Sequence, residues 1–439
     1  MHTSLSATSG LLSLPVEVGR YIWEEIQIEE TLGALSTTCK VFQHISQYFL
    51  FRKLVLSFPF PEADDIESRI SHICERLGGL STHRRLLTYI REMEICAYSK
   101  KRRYMAMSPF PVSAQSALAD CIEGMTSIKA LYLRQTIIAP VIARAIVQAS
   151  ARQVTELRLD RCSFTIPTGT PAADRLRISN LEISIMNTLG GTSGDGSPNI
   201  QGPFLDNFVR AARLDVKSLN LNKNNSSYLS IFLDVHFPSL QSFILRTLLG
   251  ETVFNPSLYL AIHTFLHDHR SITRLTLLGG PTGAFQPFHP TCLPHLRELD
   301  SSSAIVQQLV PGRPVESITV WINDPSPSLP ALSALAKSTS VVKRLKVFVE
   351  QCGATWAEFI DLLETSTPKL QLLDVFHGPD FEQELEVSYY VRNGQPTVSL
   401  LTTVAGQVSR PDNVQFLEGT STPAVADHQL SYSVHDQGL

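Results

Sequence analysis

One pattern, apolar-x-x-apolar-x-apolar, returns twelve times along this chain of 439 residues and limits its fold more than any other feature. Its members are Phe51, Leu54, Leu56; Ile90, Met93, Ile95; Ile128, Leu131, Leu133; Val154, Leu157, Leu159; Ile178, Leu181, Ile183; and Val216, Leu219, Leu221. The series continues with Leu240, Phe243, Leu245; Ile272, Leu275, Leu277; Leu296, Leu299; Val315, Ile318, Val320; Val342, Leu345, Val347; and Leu370, Leu373, Val375. Eleven steps from 51 to 370 average about 29 residues, with single steps from 19 (Leu296 to Val315) to 39 (Phe51 to Ile90). Recurrence on this scale marks stacked supersecondary units rather than one compact fold. The last two apolar positions alternate as on a strand with one face inward, and a single unit cannot cover them, so each neighbour must supply the missing wall.

Helix-period stretches fall between these segments, at 141–149, 204–212, 258–266, 329–336 and 356–363. Strand, helix, strand in alternation predicts a parallel sheet, because each helix must carry the chain back before the next strand can pair. Over residues 51–377 the pattern resembles leucine-rich repeats, which implies a horseshoe with parallel strands inside and helices outside. In that family an Asn or Cys three positions beyond the strand bonds the turn backbone; Cys162 and Asn224 match this, while Thr136, Gly280 and Gly378 depart from it. Side chains between the strand anchors would line the concave face. Candidates for target contact are Tyr132, Arg134, Arg158, Asp160, Asn220, Asn222, Arg274, Trp321 and Lys346, with Thr276, Thr319 and Phe348 beside them. Their chemistry is mixed, with no dominant sign and no aromatic cage.

The N-terminal stretch adds three short helix-period patterns in succession. Leu14-Pro15 opens the first, with Pro tolerated in a first helical turn, and Val18, Ile22 and Ile26 form its stripe. Leu32 and Leu35 mark a second helix, and Cys39, Phe42 and Ile45 a third. Forty-odd residues cannot close a useful core alone. The order and spacing of Leu14, Pro15, Glu17, Val18, Ile22, Leu32, Leu35, Cys39 and Phe42, ending in Phe51-Arg52 to Leu56, resemble an F-box. That resemblance implies a substrate-recognition subunit of a cullin-RING ubiquitin ligase, docked on a Skp-type adaptor through Leu14, Pro15, Val18, Ile22, Leu32, Leu35 and Phe42. Two alternatives stay open: helices that merely cap the first repeat, and a stand-alone repeat scaffold without ligase assembly.

The expected fold class is therefore α/β: a three-helix F-box-like module, an irregular leucine-rich-repeat horseshoe and a C-terminal hairpin cap. Expected boundaries are a leader at 1–10, the helical module at 11–56, the solenoid at 51–377, a capping segment at 378–417 and a disordered tail at 418–439. The hairpin is expected around Asn393-Gly394, where period-two alternation flanks a turn dipeptide. A net charge of −4 gives no reason to expect nucleic acid or an anionic membrane as partner. Seven cysteines without a close pair read as thiols in a reducing compartment, and no apolar run approaches the roughly 20 residues of a membrane span, so the expected location is cytoplasmic or nuclear.

Enzyme fingerprints such as His-Glu-x-x-His, Gly-x-Ser-x-Gly and the phosphate-binding glycine loops are missing from the sequence, so no catalysis and no cofactor are expected. His263, His267, His269, Cys292 and His295 hint at a metal, yet their spacing provides no two convergent ligand pairs, and solvated helix-end histidines are the better expectation. The run Lys100 to Arg103 is an import signal, a contact for an acidic partner or, more commonly for such runs, a solvated loop.

Overall fold

A computed structural model describes residues 29–38, 40–59, 66–98, 108–109, 112–164, 175–185, 201–223, 226–247, 256–278, 287–289, 291–322, 329–349, 362–363, 365–377, 384–392, 395–404 and 407–408. Two helices, α1 (Glu29–Ser36) and α2 (Lys40–Leu50), lead into β1 (Lys53–Pro59), followed by α3 (Ile66–Thr82), α4 (Arg84–Leu87) and β2 (Glu92–Tyr98). Next come β3 (Ser108–Pro109), α5 (Val112–Gly124), β4 (Ala130–Arg134), β5 (Thr136–Ile138), α6 (Pro140–Arg152), β6 (Glu156–Phe164) and β7 (Asn180–Ile185). The middle holds α7 (Gln201–Ala212), β8 (Ser218–Lys223), α8 (Ser226–Leu233), β9 (Ser242–Thr247), α9 (Pro256–Asp268) and β10 (Arg274–Leu278). The last part runs through β11 (Glu298–Ser302), α10 (Ser303–Leu309), β12 (Ser317–Ile322), α11 (Leu329–Leu335), β13 (Arg344–Val349), β14 (Leu372–His377), β15 (Glu384–Arg392), β16 (Gln395–Val404) and β17 (Gln407–Val408).

Twelve of these strands, β1, β2, β4 and β6 to β14, pair in parallel and in chain order. They are the twelve recurring segments of the sequence, and helices return the chain between them, so the architecture is an α/β solenoid of leucine-rich-repeat type. Four of the five helix-period stretches fall on α6, α7, α9 and α11, while most of 356–363 lies outside the described residues. At the far end β15 joins β14 antiparallel and β16 pairs with β15, so the hairpin occupies the edge that β14 would otherwise leave open. Residues 1–28, the Lys100 to Arg103 run and the tail from 418 lie outside the described residues.

Burial explains why the pattern has its spacing. The first strand anchor forms an unbroken row, Leu54, Met93, Leu131, Leu157, Leu181, Leu219, Phe243, Leu275, Leu299, Ile318, Leu345 and Leu373, all buried in one continuous core. The leading apolar residue of each unit from Ile90 to Leu370 is buried too, and only Phe51 is merely packed against the core. Each such side chain is worth roughly 1.5 to 3 kcal/mol when fully covered. In β11 the second anchor is Ser301, buried with its hydroxyl donating to the Leu277 carbonyl at 2.8 Å. The polar group is satisfied by the previous turn, which is why the row survives the exchange.

A backbone ladder runs beside this core. The residue after each leading anchor offers one carbonyl to two successive N–H groups of the next unit: Arg91 and Glu92 donate to Arg52, Lys129 and Ala130 to Arg91, Thr155 and Glu156 to Lys129. The relay continues through Thr155, Ser179, Lys217, Gln241, Thr273, Arg297, Glu316 and Lys343, ending with Gln371 and Leu372, and none of its bonds exceeds 3.1 Å. Every residue that supplies a shared carbonyl, from Arg52 to Lys343, is polar.

Local devices adapt single units. Gln135 (φ 51) and Arg161 (φ 53) turn the chain through left-handed backbone after β4 and inside β6, setting up a small side ladder of β3, β5 and the end of β6. Cys162, next to that corner, donates its thiol to the Leu133 carbonyl at 3.3 Å, the turn-bonding role expected for this position. Midway, Phe265 packs against Phe237 and Phe243, with ring centroids 6.3 and 4.8 Å away. Among the described residues Cys74, Cys96, Cys121, Cys162 and Cys292 are free thiols, and no helix there is long and apolar enough to cross a membrane.

Arg313 is the largest fully buried side chain, 1% exposed, and it meets carbonyls rather than a carboxylate. Its Nε donates to Cys292 at 2.7 Å, one terminal nitrogen to Gln308, Leu309 and Pro311 at 3.2, 3.0 and 3.1 Å, and the other to His289 at 3.0 Å. The guanidinium thus caps the end of α10 and ties it to the loop before β11. Arg313→Met keeps most of the volume but leaves buried carbonyls unpaired, so the expected loss is about 3 kcal/mol in urea unfolding. A midpoint unchanged from wild type would show that this cation is dispensable.

Candidate interaction surface

One face of the parallel sheet is covered by helices, and the other carries the side chains that alternate with the buried anchors. Strand register aligns them in rows. The central row reads Val55, Glu94, Tyr132, Arg158, Glu182, Asn220, Ile244, Thr276, Asp300, Thr319, Lys346 and Asp374. Beside it, towards the strand ends, lie Arg134, Asp160, Ser184, Asn222 and Arg246 on β4 to β9, and Ser302, Trp321 and Phe348 on β11 to β13. Tyr132, Arg134, Arg158, Asp160, Asn220, Asn222, Arg274, Trp321 and Lys346 all belong to strands, on positions that alternate with the buried rows.

The face is organised differently at its two ends. On β1 to β7 charges of both signs interlock: Glu94 lies 3.2 Å from Lys53 and 3.5 Å from Arg134, and Arg134 lies 3.8 Å from Asp160. Arg158 reaches Glu156 at 2.8 Å and Glu182 at 3.4 Å, with its guanidinium carbon 4.9 Å from the centre of the Tyr132 ring. Burial, then the nearby Glu156, pushes the Tyr132 phenol up to about 12. These are half-exposed pairs of modest individual strength.

On β11 to β13 the chemistry changes. The Trp321 and Phe348 rings are stacked with centroids 4.0 Å apart and planes 6° from parallel. Trp321 Nε1 donates to Asp300 Oδ1 at 2.8 Å, and Lys346 Nζ lies 5.0 Å from the centre of Phe348. Desolvation holds the Asp300 carboxyl above its usual range, opposed by the indole hydrogen bond and by the positive fields of Arg246 and Lys346. The sequence named Trp321 and Phe348 separately without showing that they stack: they are 27 residues apart in sequence but one strand apart in register. Asp300 went unnoticed because Ser301 breaks the anchor pattern next to it; Glu94, Glu182 and Arg246 share their rows with candidates that strand alternation did identify.

Of the N-terminal candidates, Leu14, Pro15, Val18 and Ile22 lie outside the described residues. Leu32 on α1 is buried at 5% exposure yet is not part of the continuous core, and Leu35 and Phe42 are half-buried. Tyr48 of α2 meets Tyr89 of the first repeat edge-on, with ring centroids 5.8 Å apart.

The histidines do not all match the expectation of solvated helix ends. His263 is stacked on Phe288 with centroids 5.1 Å apart, and His267 is half-buried with Nδ1 3.3 Å from Asp268. His269 is a correction, at 3% exposure. It accepts the Phe237 N–H on Nε2 at 2.8 Å and donates from Nδ1 to the Phe265 carbonyl at 2.6 Å, which fixes the neutral tautomer. Cys292 is buried, its thiol pushed up to about 11 by burial, whereas His295 is exposed. Among the described residues no three His, Cys, Asp or Glu side chains gather as metal ligands.

No protein-family model and no curated protein matches this chain. Among solved structures it is similar to the leucine-rich repeat-containing protein LegL7 from Legionella pneumophila, at 16% identity and a TM-score of 0.34, over 62% of this chain and 90% of that one.

His269 makes stability depend on pH. Desolvation, aided by the adjacent His236 and opposed by the Phe265 carbonyl and Asp268, lowers its pKa below the ordinary value. Above about pH 6.5 both folded and unfolded chains hold it neutral and its full contribution is present. Below that, the unfolded chain binds a proton that the folded chain refuses, and stability falls by up to about 1.4 kcal/mol per pH unit until the folded-state pKa is reached. Urea midpoints at pH 7.5 and 5.5 should therefore differ less in His269→Gln than in wild type. Equal differences would remove His269 from the acid response.

Proposed function

We propose that this chain is a protein-interaction scaffold that recruits a target protein, and that its N-terminal helices attach it to a Skp-type adaptor and through that to a cullin scaffold. One observation carries the first part. The parallel sheet commits one face to its own core and leaves the other lined with charged, amide and aromatic side chains in register. A surface of this kind recognises through many spaced contacts rather than through one reacting centre. The chain itself performs no bond chemistry in this reading, and its contribution is proximity between target and transferring enzyme.

The ligase part rests on the F-box resemblance of Leu14 to Leu56. Its support in the described residues is that α1 and α2 precede the first strand, with Leu32 packed outside the continuous core and with Leu35 and Phe42 only half-covered. A stand-alone scaffold has an observation on its side as well, since Tyr48 of α2 packs on Tyr89, as a helix capping the first repeat would.

The two readings differ in one experiment. The double substitution Leu14→Ala, Pro15→Ala should abolish co-purification with the Skp-type adaptor and cullin while the circular dichroism of the repeat array stays unchanged. Adaptor capture at the wild-type level by the double variant rejects the docking assignment, and no capture by the wild-type chain rejects ligase assembly.

A further inference from the structure

The charges on β1 to β7 already serve one another, so an incoming partner there must displace existing ion pairs. Around Asp300 the situation is different. Trp321 is held flat, with one ring face against Phe348 and its N–H edge on Asp300. The residue in register with it on β11, the side away from Phe348, is Ser302, which ends that strand because α10 begins at Ser303. A side chain this small leaves room beside the second indole face. Ser302 Oγ is buried without a hydrogen-bond partner among the described residues, and the Asp300 carboxylate accepts only the indole N–H among them. Neither Arg246 nor Lys346, the cations whose fields reach Asp300, comes within ion-pair distance of it among the described residues.

The geometry points to a notch at Asp300, Trp321 and Ser302 that takes an arginine or lysine side chain of the bound polypeptide, an inference that rests on the open strand face being the docking surface. Charge complementarity selects this occupant. A cation laid on the open indole face is attracted by the ring's negative face, and its N–H groups satisfy the half-used carboxylate. An apolar side chain would cover the carboxylate and leave its second oxygen unpaired, and an anion would be repelled. Arginine fits best, since its planar fork can stack on the ring and bond the carboxylate together.

The test follows the Trp321 indole N–H by nuclear magnetic resonance in the full chain with 15N-labelled tryptophan, the signal being assigned by its loss in Trp321→Phe. The probe is acetyl-Gly-Arg-Gly-amide, with the citrulline peptide as an uncharged isostere. The arginine peptide should shift the signal saturably and bind about tenfold more tightly than its isostere. In Asp300→Asn, which keeps the acceptor for the indole but removes the charge, that preference should vanish; Ser302→Leu, which fills the space beside the ring, should block binding even if Asp300→Asn does not fold. No shift, an equal response to citrulline, or unimpaired binding by Ser302→Leu overturns the notch. Adaptor capture by the same wild-type preparation keeps the two readings apart: failure of the notch with capture intact removes this inference alone, and failure of capture with the notch intact removes the ligase reading alone.

Discussion

The backbone relay along the strand entrances is the constraint on which the rest of the molecule depends. Each shared carbonyl, from Arg52 to Lys343, fixes the next unit's entry to within a hydrogen bond, and the buried anchor rows can form only if that entry is in register. A slip by one residue would turn every anchor outward. The hydrophobic term is larger in sum, but it has no direction; the relay supplies the direction. Neither is complete within one unit, so stability is a property of neighbours and an uncovered end is a liability. The β15–β16 hairpin covers β14 for that reason, and β1 has α2 immediately before it.

Much of this could be read in the sequence because a strand unit is a local object. The apolar pattern located the twelve strands of the main parallel ladder but not the short β3 and β5 beside it, and helix periodicity located α6, α7, α9 and α11. The polar residue after each leading anchor was equally visible and is the relay itself, yet its role emerges only when two units are side by side. What escaped reading depends on distant pairs. Ser301 looked like a gap in the pattern but is satisfied by Leu277 one turn back. His269 looked like a helix-end histidine, but the amide that buries it belongs to Phe237, 32 residues earlier. Arg313 gave no signal at all, because carbonyl groups are present at every residue and only the fold decides which of them converge.

The same limit applies to the open face. Alternation named Trp321 and Lys346 individually, and composition judged the set to be mixed. Register turns that mixture into two regimes. Where acids and bases fall on adjacent strands, as with Glu94, Arg134 and Asp160, they neutralise one another and present a hydrated, low-affinity lattice. Where an aromatic pair lies over a single carboxylate, desolvation has already taken place within the folded chain, so less of it remains to be done when a partner arrives.

That difference bears on how such a molecule separates folding from recognition. Positions that alternate with the anchors contribute little to the core, and at most of them a substitution alters only the solvent face. Asp300 is an exception, because its carboxylate is desolvated and also orients the indole that covers it. A group held at that cost gains from further counter-charge beyond the fields of Arg246 and Lys346, and a bound ligand is one source of it. Selectivity on an otherwise permissive face therefore concentrates where folding has left an interaction unfinished.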